Sequence, residues 1–260
     1  MDRLFSKDNF IIHQLLTNQN QITEQNHTII PRRAIRTLTY NIFERPLIKT
    51  NESDWKQERL DEFIKHLNFY DIICLQEMFG SLNNRKDQII KKALEAGFYF
   101  IADIPPPSFF SKSIVDGGLL ILSRFPILDN KFYPFTSTVL SDHISQKGIQ
   151  YCKIQVIDSI LHIFNTHLQA SYNGTSEFDM NLSINTRKDH LKRVVTIIKE
   201  YMVNISNLDT IILLGDFNVN SRSIIKTTTN DDDIKNDNDI KNDEIKEINE
   251  IKDVLETNVI

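Results

Sequence analysis

The 260-residue sequence lacks several features that mark particular classes of protein. It has only two cysteines, Cys74 and Cys152, each inside an apolar run typical of a strand, so neither a disulfide framework nor a zinc site is predicted. No apolar run is long enough for a signal peptide or a membrane span. An excess of basic residues is also lacking, because the formal net charge is -5 at pH 7. We therefore expect a cytoplasmic protein whose membrane contact is at most peripheral, and a nucleic-acid partner is disfavoured.

The residues that are present indicate one α/β domain. Hydrophobic residues make up 40% of the chain and charged residues 25%, which is ordinary for a folded domain of this length. Short apolar runs alternate with helical patterns, which predicts strands connected by helices. We predict a weakly ordered leader over 1–33, a folded domain over 34–220, an Asn/Asp-rich low-complexity insert over 221–243 and a terminal helix over 244–260.

Polar side chains able to do chemistry stand at the ends of four predicted strands. They are Asn41, Glu77, His167 and the pair Asp216 and Asn218. Taken singly, each has an ordinary explanation as a turn residue, an exposed strand end or a core histidine. Sites gather at strand ends because the sheet holds the side chains while the loops leave them open. Together these residues indicate a functional site.

The pair at the last strand can be interpreted in two ways. The apolar run Ile211–Leu214 predicts a short buried strand, and Gly215 is expected to end it. If the chain stays extended beyond that glycine, Asp216 and Asn218 point the same way off the strand end. If it does not, the two side chains cap their own backbone in a turn.

The residue types suit attack on a phosphate. Carboxylate and amide oxygens, without a cysteine cluster, make the hard-oxygen site that Mg²⁺ prefers. A histidine such as His167 can donate a hydrogen bond to a phosphate oxygen as charge develops. An Asp beside an Asn can orient an attacking water and hold a non-bridging oxygen.

Five motifs in order along the chain resemble the endonuclease/exonuclease/phosphatase superfamily of metal-dependent phosphodiesterases. The motifs are Thr39–Asn41, Leu75–Glu77, Gly117–Ile127, Asn165–Ala170 and Gly215–Val219. The resemblance implies an α/β fold, a deoxyribonuclease-like four-layer sandwich of two sheets flanked by helices, with 34–220 as its catalytic domain. Nothing after Asn220 matches the pattern, so a C-terminally incomplete fold is expected.

Within that superfamily the chain is most similar to the neutral sphingomyelinases. Thr166–Ala170 resembles their histidine strand. Asp142 with Lys147, between Ile127 and Tyr151, resembles a segment that those enzymes place there. The resemblance implies a local switch or a substrate contact for Asp142 and Lys147. The alternative for that pair is a loop salt bridge of little energetic weight.

The resemblance also implies roles for the strand-end residues. Glu77 would hold the magnesium ion with Asn41 near it, and His167 would contact the phosphate. Asp216 and Asn218 would position the water and the phosphate.

The family pattern closes with an Asp-His pair near the C-terminus, in which the histidine is the general base. No such pair follows Asn220, and Ser141–His143 has the right letters in the wrong place. Losing one member of a catalytic unit commonly removes most of the rate, so a truncated enzyme of low activity is expected.

The resemblance therefore implies a magnesium-dependent phosphodiesterase that hydrolyses sphingomyelin at a membrane surface to ceramide and phosphocholine, with Pro105–Phe110 as one candidate for membrane contact. Two alternatives stay open. The first is a nuclease or an inositol-phosphate phosphatase of the same fold. The second is a non-catalytic remnant that binds a lipid or a partner.

Overall fold

The computed structural model describes residues 34–45, 54–81, 83–107, 113–157, 159–171 and 176–219. The predicted leader over 1–33, the low-complexity insert over 221–243 and the terminal helix over 244–260 lie outside these ranges, as does the 108–110 part of the proline-rich loop. Within the described ranges, no helix has the length and apolar character that crossing a membrane requires.

The described chain forms eight strands and three α-helices. The strands are β1 (Thr37–Asn41), β2 (Ile72–Gln76), β3 (Phe100–Asp103), β4 (Leu120–Ser123), β5 (Ile127–Pro134), β6 (Gly148–Val156), β7 (Ser159–His167) and β8 (Thr210–Asp216). The α-helices are α1 (Lys56–Lys65), α2 (Arg85–Glu95) and α3 (Glu177–Met202). The five strands from β3 to β7 follow one another without an α-helix between them. The chain divides into two compact units, Met1–His167 with Ser206–Asp216, and Leu168–Ile205 with Phe217–Ile260.

The first unit contains two four-stranded sheets. One has the strand order β1-β2-β4-β3, in which β1 and β2 are parallel and the other neighbours are antiparallel. The other has the order β5-β6-β7-β8, in which only β7 and β8 are parallel. Each sheet therefore holds one parallel pair whose carboxyl ends lie side by side.

The apolar residues of the first unit form two layers of core. In the first, Leu60 of α1 and Ile89 of α2 pack with Ile73 and Leu122, so both helices cover one face of the first sheet. The second layer lies between the sheets. It contains Ile72, Cys74, Ala102 and Ile121 from one sheet and Cys152, Ile154, Val156, Leu161 and Ile163 from the other. The predicted α/β sandwich of two sheets with helices is confirmed, and both cysteines are free and buried as expected.

A buried polar network also joins the two sheets. Nε2 of Gln76 on β2 donates to Oδ1 of Asn165 on β7 at 2.8 Å, and Nδ2 of Asn165 donates to the Leu75 carbonyl at 3.1 Å. Both side chains are at most 1% exposed. Hydrogen bonds are directional, so this network fixes how the sheets face each other just before Glu77 and His167.

The second unit is described by α3 and the segments on either side of it. Ser176 begins α3 as an N-cap, and its hydroxyl accepts a hydrogen bond from the Asp179 amide at 3.2 Å. That cap sets the start of α3 at Glu177 rather than at Ile184, where the apolar spacing first indicates a helix. Arg187 donates to the Gln169 carbonyl at 2.8 Å, which ties the segment after His167 to the helix.

Two strands differ from the sequence expectation. No strand is predicted from the sequence between Pro126 and Tyr151, where the composition is polar. β5 nevertheless forms there, because its backbone pairs with the neighbouring strand β6. The expectation that Gly215 ends the last strand is wrong, since β8 runs through it to Asp216. A Cβ on Gly215 would lie 2.1 Å from the Thr166 carbonyl oxygen, so the glycine permits close pairing with β7 rather than ending it.

The buried network gives a stability prediction. Asn165→Leu leaves buried polar partners without their bonds, so the free energy of unfolding should fall by about 2 kcal/mol or more. Urea unfolding measures the change. As the control, Gln155→Leu removes an amide that donates only to the exposed carbonyl of Ile157, and it should change stability by about 0.5 kcal/mol at most. Equal losses in the two variants would contradict a role for the network.

Candidate active site

The two parallel strand pairs bring four predicted site residues to one place in the first unit. Asn41 pairs in register with Gln76, directly before Glu77, and His167 pairs with Asp216. Nδ2 of Asn41 donates to Oε1 of Glu77 at 3.0 Å and to Oδ2 of Asp216 at 2.8 Å. One amide group therefore bridges two carboxylates that belong to different sheets.

The backbone of Glu77 has an unusual conformation. Its φ is 57°, in the left-handed region that non-glycine residues rarely adopt. Gly118 packs directly beneath it, because a Cβ on this glycine would lie 2.9 Å from the Glu77 Cα. The Met78 amide donates to the Gly118 carbonyl at 2.8 Å. Strained residues of this kind persist only where their surroundings hold them, and they cluster at functional sites.

The carboxylate of Glu77 is 2% exposed, and positive charge compensates it. Arg45 makes a two-pronged contact, with Nη2 donating to Oε1 at 3.0 Å and Nε donating to Oε2. Arg45, which lies after β1 ends, is not among the site residues predicted from the sequence. It stands four residues after Asn41, outside the Thr39–Asn41 motif, and no periodicity points its side chain back to Glu77.

His167 lies beside both carboxylates and is 4% exposed. Its Nε2 is 3.8 Å from Oε1 of Glu77 and 3.9 Å from Oδ2 of Asp216. Burial holds the pKa of the imidazole well below its ordinary value, and the positive charges of Lys147 and Arg45 act in the same direction. The imidazole is therefore neutral at pH 7 and can donate one hydrogen bond and accept another.

The predicted pair of Asp142 and Lys147 forms within the same unit. Lys147 Nζ lies 2.9 Å from Oδ2 of Asp142, and the two side chains are 3% and 9% exposed, respectively. The pair is therefore buried rather than a solvent-exposed loop salt bridge. Burial lowers the pKa of Lys147, while Asp142, Glu77 and Asp216 act to raise it. The ammonium group of Lys147 thus interacts electrostatically with the strand-end carboxylates of Glu77 and Asp216.

Asn218 belongs to the second unit and has a different environment. Its φ is 54°, so the chain is not extended there and the alternation expected to aim Asp216 and Asn218 together does not apply. Nδ2 of Asn218 donates to the Leu168 carbonyl at 3.0 Å. Its role at the phosphate stays a prediction.

The donor set is compatible with a magnesium ion, although the described residues contain no group of three or more His, Cys, Asp or Glu side chains that could hold a metal. Mg²⁺ is usually bound by one or two carboxylates while water and substrate phosphate complete its shell. Glu77 supplies such a carboxylate. The Oδ1 of Asn41 accepts from the Phe43 amide at 3.0 Å, so the amide nitrogen faces the carboxylates and must turn away for Asn41 to act as a ligand.

Comparison of the sequence with known protein families identifies the family to which a chain with this arrangement of residues belongs. The profile of the Endonuclease/Exonuclease/phosphatase family matches residues 38–233. The chain belongs to this family.

Individual relatives of the chain are sphingomyelinases. A sphingomyelinase of Dictyostelium discoideum is 34% identical over 195 residues, which cover 67% of this chain and 42% of that protein. Sphingomyelinase C of Bacillus cereus is 28% identical over 212 residues, which cover 76% of this chain and 59% of that protein. The chain thus spans about half the length of these curated relatives.

Solved structures share the fold. The crystal structure of a Staphylococcus aureus beta toxin variant with bound magnesium ions matches with a TM-score of 0.61 and 21% identity, covering 83% of this chain and 70% of that one. At this identity the likeness shows the fold alone.

The contact beneath Glu77 predicts an effect of Gly118→Ala. The added methyl group meets the Glu77 backbone, and the φ of +65° at this glycine disfavours alanine. We expect a loss of about 1–3 kcal/mol in the free energy of unfolding. Gly80→Ala is the matched control, since its Cβ would meet only the flexible Lys86 side chain at 3.3 Å or beyond. Chemical denaturation of both variants measures the difference, and a loss as large in Gly80→Ala would contradict the assignment.

The environment of His167 predicts how stability depends on pH. The folded pKa lies below the unfolded value of 6.5, so the unfolded chain takes up the proton first as the pH falls. Between pH 7.5 and 5.5 the wild-type chain should therefore lose more stability than His167→Gln, by at most about 1.4 kcal/mol, the limit set by the unfolded pKa. Urea unfolding in EDTA at both pH values tests this difference. Equal losses would show that His167 is not held neutral.

Proposed function

We propose that the chain is a magnesium-dependent phosphodiesterase that hydrolyses sphingomyelin to ceramide and phosphocholine. The observation that carries the proposal is the shared amide of Asn41, which gathers the carboxylates of Glu77 and Asp216 beside His167. The sphingomyelinase relatives support the substrate class, because two of them match most of the chain. The proposed place of action is the surface of a membrane.

Glu77 is the residue that would hold the magnesium ion, with Asn41 as its neighbour. The ion would supply positive charge to a non-bridging phosphate oxygen. The magnesium bound to the related beta toxin variant supports a divalent cofactor for this fold. The buried position of Glu77 suits the task, since an interaction with a cation is strong where water is excluded.

The other residues would act on the phosphate and on the water. The neutral imidazole of His167 can donate a hydrogen bond to a phosphate oxygen without first losing a proton. Lys147 adds a buried positive charge near the same atoms. Asp216 is 30% exposed on its side chain and can accept a hydrogen bond from the attacking water, while Asn218 is proposed to contact the phosphate.

None of the roles above assigns the group that would accept the proton of the attacking water. No Asp-His pair follows Asn220 in this sequence, and the low activity expected for that reason stays a prediction. Activity therefore has to be measured on this chain as it stands.

A substrate panel tests the proposal. The purified chain with magnesium is assayed on sphingomyelin vesicles, on DNA and on inositol phosphates. We expect turnover of sphingomyelin, reduced on the order of 100-fold or more in Glu77→Gln because the variant loses the carboxylate that would hold the ion. Glu95→Gln is the control, since Glu95 is a half-exposed partner of Lys92 on α2, and it should keep full activity.

The other outcomes would overturn the proposal in distinct ways. Turnover of DNA or inositol phosphates alone would assign another substrate class on the same fold. No turnover of any substrate, with native circular dichroism, would leave a non-catalytic protein.

A further inference from the structure

We propose that Arg45 is a built-in competitor for the divalent cation, which holds Glu77 in the metal-free site and has to be displaced when the cation binds. The inference rests on the proposed function only in taking Glu77 as the metal ligand. It concerns a residue outside the strand-end set, and it predicts a property of metal binding that is separate from hydrolysis.

The geometry of the contact makes the two cations compete for the oxygens of Glu77. Arg45 donates to both carboxylate oxygens of Glu77, and Asn41 donates to one of the same oxygens. A magnesium ion has to approach an oxygen to about 2.1 Å, where a guanidinium group that already faces both oxygens would repel it. Binding of the ion therefore requires Arg45 to leave at least one oxygen.

The surroundings of Glu77 explain why a competitor is needed. A carboxylate that is 2% exposed would be left without a compensating positive charge whenever the cation is absent. Such an uncompensated buried charge is strongly destabilising. Arg45 supplies the charge, and its side chain is 25% exposed, so it has access to solvent when a metal ion replaces it.

The backbone of the loop that carries Arg45 is anchored, so the proposed displacement involves the side chain and not the loop. The amides of Ile42 and Glu44 donate to the carbonyls of Gln76 and Glu77, each at 3.0 Å, which holds the backbone against the end of β2. The Arg45 guanidinium also lies 4.7 Å from the centre of the Phe43 ring. That ring is 39% exposed and offers a contact to the guanidinium after it leaves the carboxylate.

The same two strands provide a matched control. At their opposite ends, Arg36 precedes β1 and Asp71 precedes β2, and Arg36 donates to both carboxylate oxygens of Asp71 at 3.2 Å. Asp71 is 1% exposed. The pair matches Arg45 with Glu77 in charge and in its two side-chain hydrogen bonds, although the Arg36 backbone amide also donates to Oδ2 of Asp71 at 3.0 Å, and no metal role is proposed there.

The experiment titrates magnesium chloride into the full chain after dialysis against EDTA and then against metal-free buffer, by isothermal calorimetry. The variants are Arg45→Gln, Arg36→Gln and Glu77→Gln. We expect Arg45→Gln to bind magnesium on the order of tenfold more tightly than the wild type, because the competitor is gone. Arg36→Gln should match the wild-type affinity, and Glu77→Gln should lose binding.

Thermal unfolding supplies a second readout, in which Arg45→Gln should lower stability without metal although it tightens magnesium binding. Arg45→Gln should melt at a lower temperature than the wild type in EDTA, because Glu77 loses its compensating charge. Added magnesium should raise the melting temperature more in Arg45→Gln than in the wild type. Arg36→Gln should melt lower in EDTA too, but its shift with magnesium should equal the wild-type shift.

Several outcomes would overturn the inference. Magnesium binding in Arg45→Gln that equals or falls below the wild-type affinity would show that Arg45 does not compete. Equal tightening in Arg36→Gln would show a general effect of charge. No magnesium binding by the wild type would remove the site, whatever hydrolysis shows. Tighter binding in Arg45→Gln without sphingomyelin turnover would uphold the inference and overturn the proposed function alone.

Discussion

The site depends on one amide group, the Nδ2 of Asn41, which donates to the carboxylates of Glu77 and Asp216 at once. Two negative charges that share a donor repel each other, and in a buried place that repulsion is costly. Arg45 opposes it by direct contact with Glu77, and Lys147 contributes a second buried positive charge. The amide sets the spacing of the carboxylates, and the two cations make that spacing tolerable in the absence of any ligand.

That spacing is a product of strand direction. β1 with β2 and β7 with β8 are the two parallel pairs among the described strands, and the residues that close each pair are Asn41 with Gln76 and His167 with Asp216. The carboxyl ends of parallel neighbours lie on the same side of their sheet, so two strand ends meet at one edge of each sheet. The bond between Gln76 and Asn165 then fixes one sheet against the other close to those ends.

The sequence predicts the strand-end residues because each apolar run stops at a polar side chain that it cannot bury without a partner. The two-sheet α/β class is implied by the resemblance to the endonuclease/exonuclease/phosphatase superfamily, and the sequence places Asn41, Glu77, His167 and Asp216 correctly at strand ends. It does not predict Arg45, whose contact with Glu77 is made across a loop that has no periodicity. Nor does it predict that β8 continues through Gly215, because only the neighbouring Thr166 carbonyl makes a glycine necessary there.

The balance of charge bears on the proposed binding of a metal ion and a phosphodiester. The carboxylates of Glu77, Asp216 and Asp142 face the cations of Arg45 and Lys147 around a neutral His167, which leaves one net negative charge. In the proposed site, a divalent cation that displaces Arg45 toward solvent would bring that balance to neutral. A phosphodiester carries one negative charge, so it would be repelled before the cation has bound and not afterwards. The proposed order of binding, with the metal before the substrate, thus follows from charge, because the carboxylates that would attract the metal would repel the substrate without it.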